Sequence, residues 1–388
     1  MSPTDIKPFN HPAAWKASDV AGKEDFAIDL TPRHIGAMQD SLRGFRAALD
    51  DTGFPSLDAF PLVPIADDIA RWRQELLTGR GLVLLRGFPI DQDDPEDLRL
   101  MYLGLGLHFG RPVSQSKMGE LIGEVVNIGD KDIRERAYRN SRTLNLHTDR
   151  CDHIGMLCVR KAMEGGVSGY ASALAVHNEI LGSRPDLLAA LYNGYHHHRF
   201  GEQAPGDPLV TAERIPIFSV TSGVPNVIYI RGYIDLTVEE GHVTLSDVEL
   251  EALNYFDEVA NREDIRLDFL LEPGELNFTN NCFLVHTRTG FEDSPDPAQK
   301  RRLLRLWLRE DGRPAAPGVI AHKGADGIGA QQNEGTYYTT SHRKQRRRGG
   351  LTPLLGQSQP ERIELDKSFG VALVVDGVFL KCDVFHGV

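Results

Sequence analysis

Cysteine is scarce in this sequence of 388 residues, and long hydrophobic runs are absent from it. The four cysteines, Cys151, Cys158, Cys282 and Cys382, are too few and too scattered for a disulfide framework, and they suit a reducing compartment. No stretch of about 18 apolar residues exists, which excludes a membrane-spanning helix. The first residues show no basic flank followed by an apolar stretch, so no signal peptide is visible. These absences predict a cytoplasmic protein with no membrane partner.

Positive charge is also in short supply, since 43 basic side chains stand against 55 acidic ones and the net charge is −12. Binding to nucleic acid relies on basic surface, so we expect no nucleic acid partner. The exception is a basic run at 343–348, which we interpret as part of a solvated tail. A chain of this length can bury a large core without a partner, and a homo-oligomer stays open.

Short apolar segments indicate the fold class. The segment 81–87 is an apolar run between glycines and predicts a buried strand, with helical patterns on either side at 67–77 and 94–109. From about Val113 the segments become short, β-branched and bounded by turns, with helical inserts near 175–192 and 245–261. Many short strands with few helices predict a mainly β fold with helical decoration, of the jelly-roll or cupin-like type.

Composition divides the chain into three parts. We expect an N-terminal extension that packs on the core (1–60), a central jelly-roll domain (61–313) and a C-terminal tail that is ordered only in part (314–388). The tail is rich in glycine, glutamine and basic residues. Near its end, 369–379 predicts a hairpin around Asp376 and Gly377.

His147 and Asp149 lie two residues apart in the segment LNLHTD (144–149). On a strand, residues i and i+2 project from the same face, so this imidazole and this carboxylate would lie together. Such a pair supplies two of the three ligands in the 2-His-1-carboxylate facial triad of non-haem Fe(II). On its own, a His-x-Asp pattern also arises by chance in a chain with 14 histidines.

A second candidate segment, NFTNNCFLVH (277–286), ends an apolar strand on His286. A later strand within KRRLLRLWL (300–308) carries Arg301 and Arg305 on one face. Inward-facing arginines need anionic partners because an unpaired buried guanidinium is costly, and a bound dicarboxylate would supply them. The alternative is a surface strand whose arginines pair with Glu292 or Asp293.

Taken in order, these features resemble the Fe(II)/2-oxoglutarate-dependent dioxygenases, and within them the taurine dioxygenase and clavaminate synthase-like branch. The resemblance extends over about 61–309 and implies a double-stranded β-helix, the jelly roll predicted from the strand pattern. Five segments follow one another in the family's order: GRGLVLLRGFPI (79–90), LHFGRPVSQ (107–115), LHTDRCDHIGMLCVRKAMEGGVS (146–168), PGELNFTNN (273–281) and VHTRTGFED (285–293).

The resemblance implies an enzyme and its iron ligands. His147, Asp149 and His286 match the family's three ligands to Fe(II), with 2-oxoglutarate and O2 as co-substrates. The implied reaction couples oxidative decarboxylation of 2-oxoglutarate to hydroxylation, desaturation or cyclisation of a small molecule. Because Asp149 retains the carboxylate ligand, no position is opened for chloride, and halogenation is disfavoured.

The resemblance also implies the co-substrate residues. Arg301, fifteen residues after His286, matches the arginine that pairs with the distal carboxylate of 2-oxoglutarate. Arg305 matches the second arginine of an R-x3-R pattern, which lies near the other carboxylate or the substrate. Ser168 stands where many relatives carry a threonine that bonds to the co-substrate. Because Arg302 directly follows Arg301, the sequence leaves open which of the two faces the co-substrate.

Substrate contacts are less well defined. Gln115, Asn145 and Arg231 occupy places that line the substrate cavity in relatives, and Arg231 would imply an anionic group on the substrate. Two alternatives remain: a non-catalytic sensor of metal and 2-oxoglutarate on the same fold, and a nucleic acid demethylase, which the acidic composition disfavours. The three histidines at 196–198 are not expected to bind one ion, because adjacent residues project in different directions.

Overall fold

The computed structural model describes residues 6–48, 56–127, 140–204 and 206–329, together with two strands near the C-terminus. The basic run at 343–348 lies outside the described residues. Among the residues described, no helix is long and apolar enough to cross a membrane.

Strands form two main sheets. The strands are β1 Ala27–Asp29, β2 Leu82–Arg86, β3 Arg111–Pro112, β4 Ile122–Val125, β5 Leu144–His147, β6 His153–Arg160, β7 Glu164–Gly165, β8 Ser168–Ser172, β9 Phe218–Thr221, β10 Val224–Val227, β11 Arg266–Phe269, β12 Leu276–Asn280, β13 Leu284–Arg288, β14 Phe291–Glu292, β15 Arg302–Arg309, β16 Ala372–Val375 and β17 Val378–Lys381. The larger sheet has the order β1-β2-β12-β6-β15-β3, with β4 also paired to β15, and the smaller has the order β11-β8-β13-β5. This is the jelly-roll core that the strand pattern predicts.

The two sheets meet through polar side chains as well as apolar ones. Asn277 on β12 of the larger sheet donates to the Tyr170 hydroxyl on β8 of the smaller sheet, at 2.6 Å. Both residues are buried. The space between the sheets therefore contains hydrogen-bonding groups, which a purely structural core would avoid because unpaired polar groups are costly there.

Helices cover the outer faces of the sheets. They are α1 Pro32–Ala48, α2 Ala66–Leu77, α3 Pro95–Leu107, α4 Ala173–Ser183, α5 Pro185–Asn193, α6 Arg231–Glu239, α7 Asp247–Ala260 and α8 Pro317–Lys323. One buried apolar cluster joins α1, α2 and α3 to the larger sheet. Another joins α4, α5 and α7 to the smaller sheet. The ends of α2 and α3 agree with the periodic patterns at 67–77 and 94–109, whereas α1, α6 and α8 were not anticipated.

Segments from both ends of the chain pack on this core. Near the start, Trp15 and Phe26 are buried in the second cluster and β1 pairs with β2. Beyond residue 313, α8 ends on the buried Lys323, whose ammonium group donates to Asp152 at 2.7 Å. The first part of the predicted tail thus lies against the core. At the far end, β16 and β17 pair antiparallel where the sequence predicts a hairpin.

Candidate metal centre and co-substrate site

The structure brings His147, Asp149 and His286 together. In the small sheet, His286 on β13 is the register partner of His147 on β5, and Asp149 follows β5 by two residues. The Nε2 atom of His147 lies 3.8 Å from Oδ1 of Asp149, and that of His286 lies 4.0 Å from Oδ2. One ligand atom from each residue lies within 4.8 Å of the other two. Residues 137 positions apart in sequence therefore form one cluster because two neighbouring strands carry them.

Hydrogen bonding and burial prepare these side chains for a cation. The Nδ1 atom of His147 donates to the Asn145 carbonyl at 2.8 Å, which leaves the Nε2 lone pair directed at the cluster. Burial, and then the neighbouring His147, lowers the pKa of His286 to about 3, so that imidazole is neutral at ordinary pH. Burial raises the pKa of Asp149, but Arg305 and the two histidines outweigh that effect and lower it to about 2. Two neutral imidazoles and one carboxylate are the donor set that a non-haem Fe(II) ion takes.

The spacing of the donors fits one ion. Nitrogen and oxygen ligands lie about 2.0–2.2 Å from a first-row metal such as zinc, so two of them on one ion are at most about 4.4 Å apart. The two imidazole–carboxylate distances, 3.8 Å to Oδ1 and 4.0 Å to Oδ2, fall below that limit. Ligands on one face of an octahedral ion lie closer, about 3 Å apart, so these side chains would draw slightly together around an ion while the strands keep their pairing.

Asp149 is held by donors on β15. Arg305 Nη1 and Trp307 Nε1 both contact its Oδ2 atom, at 3.1 and 2.8 Å, and all three side chains are buried. Asn281 binds the backbone on both sides: its Oδ1 accepts from the Asp149 N–H, and its Nδ2 donates to the carbonyls of Asp149 and Cys151. The orientation of the carboxylate is thus set by two side chains and its backbone by a third.

Gln115 lies behind this network, and its side chain is engaged by the protein. The fully buried amide donates to the carbonyls of Leu121 and Arg305 and accepts from Arg305 Nε at 2.8 Å. A residue expected to touch substrate instead fixes Arg305, which in turn contacts Asp149. The sequence segment LHFGRPVSQ identifies Gln115 as a candidate site residue, but it does not show in which direction the side chain lies.

Arg301 and Arg302 differ sharply in their surroundings. Arg302 forms a two-pronged ion pair with Glu124 on β4, with both contacts at 2.9 Å. Arg301 is 3% exposed, its Nη1 atom has no hydrogen-bond partner, and its Cζ lies 4.9 Å from the centre of the Phe291 ring. Burial lowers the pKa of Arg301 to about 10. Within the described residues, the predicted alternative of a side-chain pair with Glu292 or Asp293 is not formed, although the Arg301 N–H donates to Asp293.

Ser168 lies at the same end of the small sheet. It is buried and is the register partner of Arg288 on β13. Next to it, a side chain on Gly166 would meet Arg301 Nε at 3.2 Å and Phe291 at 3.6 Å. Gly166 also has a φ of +73°, which favours glycine. Because Gly166 has no side chain, the turn after β7 can approach Arg301 closely.

Asn145 and Arg231 are placed differently from each other. Asn145 has an exposed side chain two residues before His147 on β5. Arg231 begins α6, where its guanidinium donates to Asp235 at 2.7 Å, to Asp257 at 3.1 Å and to Asn254. Two carboxylates already balance the charge of Arg231. The structure therefore does not place Arg231 as an uncompensated cation at the cluster of His147, Asp149 and His286.

The adjacent histidines at 196–198 diverge. His196 contacts the Thr211 carbonyl, His197 is fully buried, and His198 lies near Glu240 and His242. Donors of these last three residues also lie within 4.8 Å of one another. However, His198 Nδ1 accepts from the Phe200 N–H at 2.9 Å, so the proton of a neutral ring sits on Nε2, 3.2 Å from Glu240. With Nδ1 engaged as an acceptor and Nε2 carrying the proton, such a ring has no free lone pair for a metal ion.

Two residues at or near the site were not predicted from the sequence. Trp307 lies in the segment 300–308, and its indole N–H binds Asp149. Arg288 was noted after His286 without a role, yet it is 5% exposed and two residues along the same strand. For Arg288 the signal was available, because i and i+2 share a face of a strand. The contact of Trp307 with Asp149 joins residues 158 positions apart, so it depends on how the strands pair and not on local spacing.

Comparison with known proteins places the chain in a family. The model of the family described as taurine catabolism dioxygenase TauD, TfdA family matches residues 47–307. FR-33289 synthase of Streptomyces rubellomurinus is 30% identical over 68% of this chain and 80% of its own length. The taurine hydroxylase-like protein SAT17 of Stachybotrys chartarum is 24% identical over 78% of this chain and 80% of its own.

Solved structures support the same fold. Asparagine oxygenase, in a complex with Fe(II), hydroxyasparagine and succinate, has a TM-score of 0.57 at 17% identity, covering 79% of this chain and 99% of its own. The non-haem iron oxygenase OrfP, in a complex with Fe and α-ketoglutaric acid, has a TM-score of 0.56 at 15% identity, covering 74% and 94%. The family match covers more than half of the chain. This protein is therefore a member of the TauD/TfdA family, an Fe(II)/2-oxoglutarate-dependent dioxygenase of small molecules.

Proposed function

We propose that this protein couples the oxidative decarboxylation of 2-oxoglutarate to hydroxylation of a small molecule, at an iron held by His147, Asp149 and His286. The observation that carries the proposal is the convergence of these three side chains from separate segments, with both imidazole–carboxylate distances at or below 4.0 Å. Three protein ligands leave three of six iron positions for co-substrate and O2. When bound, iron and 2-oxoglutarate would activate O2, the oxidant, for removal of hydrogen from a C–H bond.

The protein's own part is to hold and orient. His147 and His286 present neutral nitrogens, and Asp149 presents one carboxylate. Because Oδ2 of Asp149 is occupied by Arg305 and Trp307, Oδ1 is the oxygen that faces His147 Nε2. Asp149 would therefore hold the ion through Oδ1, while Arg305 and Trp307 retain Oδ2.

We assign the co-substrate residues from the buried positive charge that lacks an ion-pair partner. Arg301 is a buried cation that no described carboxylate pairs with, whereas Arg302 is neutralised by Glu124. A buried guanidinium is stable only when an anion balances it. We assign the distal carboxylate of 2-oxoglutarate to Arg301, with the Ser168 hydroxyl beside it.

Hydroxylation is the proposed outcome for two reasons. Asp149 retains the carboxylate ligand, so no position opens for chloride. The asparagine oxygenase and OrfP complexes contain hydroxylated amino acids, (2S,3S)-3-hydroxyasparagine and (3S)-hydroxy-L-arginine, which indicates this outcome on the same fold. A cytoplasmic location belongs to the proposal too, since Cys151, Cys158 and Cys282 are buried free thiols that suit a reducing compartment.

The experiment measures succinate release from 2-oxoglutarate by the iron-loaded protein, with and without members of a small-molecule library. We expect slow uncoupled release that a substrate accelerates, with a product heavier by one oxygen atom. Arg301→Ala should raise the 2-oxoglutarate concentration required by about 30-fold or more, because truncating one partner of a buried charge pair costs roughly 2–5 kcal/mol.

Arg302→Ala is the matched control, because it removes the neighbouring guanidinium on β15. It should leave the 2-oxoglutarate requirement within about threefold of the unmodified protein, since Arg302 faces Glu124. If Arg302→Ala were the severe variant and Arg301→Ala nearly silent, the assignment of the co-substrate carboxylate would be wrong.

A further inference from the structure

A second buried arginine lies beside Arg301. Arg288, on β13, is 5% exposed and its Cζ lies 4.8 Å from the centre of the Phe291 ring, as Arg301 Cζ lies 4.9 Å from it. Its Nη2 atom donates to the carbonyls of Asn140 and Arg142, at 2.9 and 2.6 Å, and its Nε atom has no partner. The two guanidinium groups thus flank one aromatic ring.

Neither cation has an ion-pair partner within the described part of the chain, although the Asp293 carboxylate, which accepts from the Arg301 N–H, partly offsets the effect of burial on the pKa of Arg301. No carboxylate there forms an ion pair with Arg288 or with Arg301, whereas their neighbours Arg266 and Arg302 each have one, in Asp268 and Glu124. Carbonyl groups satisfy hydrogen bonds of Arg288 but carry no net charge. Two buried like charges repel each other and lose hydration, so the pair is stable only when an anion lies near both.

We infer that Arg288 is a second cation of the co-substrate site, which increases the affinity for the distal carboxylate bound by Arg301 and so favours dicarboxylic over monocarboxylic 2-oxo acids. This inference rests on the proposed function. The position of Arg288 supports it, because it lies two residues after His286 on the same strand and opposite Ser168 in the sheet. A strand residue at that position faces the same side as His286.

Charge, rather than shape, carries the effect, and conservative variants separate the two. Arg288→Lys keeps the cation and can still donate to a carbonyl. Arg288→Gln keeps a donor and removes the cation. Arg266→Gln removes an arginine of β11, in the same sheet, that pairs with Asp268, and serves as a control for the loss of one positive charge.

The experiment titrates 2-oxoglutarate and, separately, pyruvate into anaerobic Fe(II)-loaded protein and follows the visible absorbance of the iron chelate. Pyruvate is a 2-oxo acid with no distal carboxylate. Arg288→Gln should weaken 2-oxoglutarate about 10- to 100-fold, the effect of losing one charge-assisted contact, and should leave pyruvate unchanged. Arg288→Lys should recover most of the loss, and Arg266→Gln should change neither ligand.

The outcomes separate the inference from the proposed function. If the unmodified protein forms no chelate with either 2-oxo acid, the proposed function fails. If it binds 2-oxoglutarate and Arg301→Ala weakens that binding, while Arg288→Gln does not, only the inference fails. Equal losses for 2-oxoglutarate and pyruvate in Arg288→Gln would also overturn it, because they would show a general disturbance of the site. The thermal midpoint of each ligand-free variant checks that it is folded.

Discussion

Asp149 carries different contacts on its two oxygens. Oδ2 accepts from Arg305 and Trp307, while Oδ1 faces His147. Residues that orient a metal ligand affect metal affinity although they do not touch the ion. The indole of Trp307 is therefore a positioning group for Asp149, and its removal has a measurable consequence.

Trp307→Phe should lower the affinity for Fe(II) about 10- to 100-fold, the usual effect of losing a group that orients a metal ligand. The aromatic ring stays and the N–H donor is lost, so the core remains filled. Anaerobic titration with Fe(II), or with Co(II) followed by absorbance, measures the change. Trp15→Phe is the control, because Trp15 is also buried but donates to the Arg80 carbonyl. Equal iron affinity in Trp307→Phe and the unmodified protein would show that Arg305 alone orients Asp149.

Local spacing predicts some site residues and not others. Strand parity makes His147 and Asp149 a candidate pair, and the family's order of segments adds His286 and turns the pair into a predicted metal site. Gln115 was placed in the right part of the molecule with the wrong neighbours, because hydrogen bonds to Arg305 across 190 residues depend on strand pairing. Arg231 was predicted to line the substrate cavity, but the sequence does not reveal its partner Asp257, which lies on another helix.

At the scale of elements, α3 shows why some glycines are required inside a helix. A methyl group at Gly104 would collide with the Phe60 ring, and one at Gly106 would meet Leu306 of β15. Phe60, Leu306 and the residues around Gly104 are fully buried. Close approach of α3 to its neighbours therefore depends on missing side chains, and not on the flexibility of glycine.

Gly104→Ala should destabilise the protein by about 1–3 kcal/mol, because overpacking outweighs a gain in helix propensity of up to about 1 kcal/mol. Gly36→Ala, in α1, should stabilise it by up to about 1 kcal/mol, because nothing lies within 4 Å of the added methyl group. Urea unfolding of both variants measures the difference. We expect the unfolding free energy to fall in Gly104→Ala and to rise in Gly36→Ala. If both variants were destabilised, the packing of α3 would not be what distinguishes the two positions.

Element prediction succeeded where patterns are strong. The segment 81–87 became β2 and 94–109 became α3, because glycine boundaries and a 3.6-residue period are local signals. The central strand β12 was not predicted, because Asn277 and Asn280 are residue types more common in loops than in strands. Both are fully buried and hydrogen-bonded, Asn277 to Tyr170 and Asn280 to the Leu76 carbonyl, so tertiary contacts decided the outcome.

For the whole molecule, buried histidines couple stability to pH. Burial lowers the pKa of His197 to about 3 and that of His177 to about 4. In the unfolded chain both return to about 6.5, so the unfolded state binds more protons below that pH. The stability that these neutral rings contribute is therefore present above about pH 6.5 and is lost as the pH falls.

Each such ring removes about 1.4 kcal/mol of unfolding free energy per pH unit below about pH 6. His197→Leu removes one such titrating ring, so it should reduce this slope. Neither ring nitrogen of His197 has a hydrogen-bond partner among the described residues, so the substitution breaks no hydrogen bond of the ring. Urea midpoints measured from about pH 8 to pH 5 give the slope for both proteins. The prediction fails if His197→Leu and the unmodified protein lose stability in parallel.

The most direct test of the central claim is the iron content of single variants after anaerobic reconstitution with Fe(II). Asp149→Ala and His147→Ala each remove one proposed ligand, whereas His198→Ala removes one member of the other cluster of histidines and a carboxylate. We predict about one iron per chain in the unmodified protein and in His198→Ala, and loss of iron in Asp149→Ala and in His147→Ala, with circular dichroism showing that all are folded. Full iron occupancy in folded Asp149→Ala and His147→Ala would contradict the account, and so would loss of iron in His198→Ala alone.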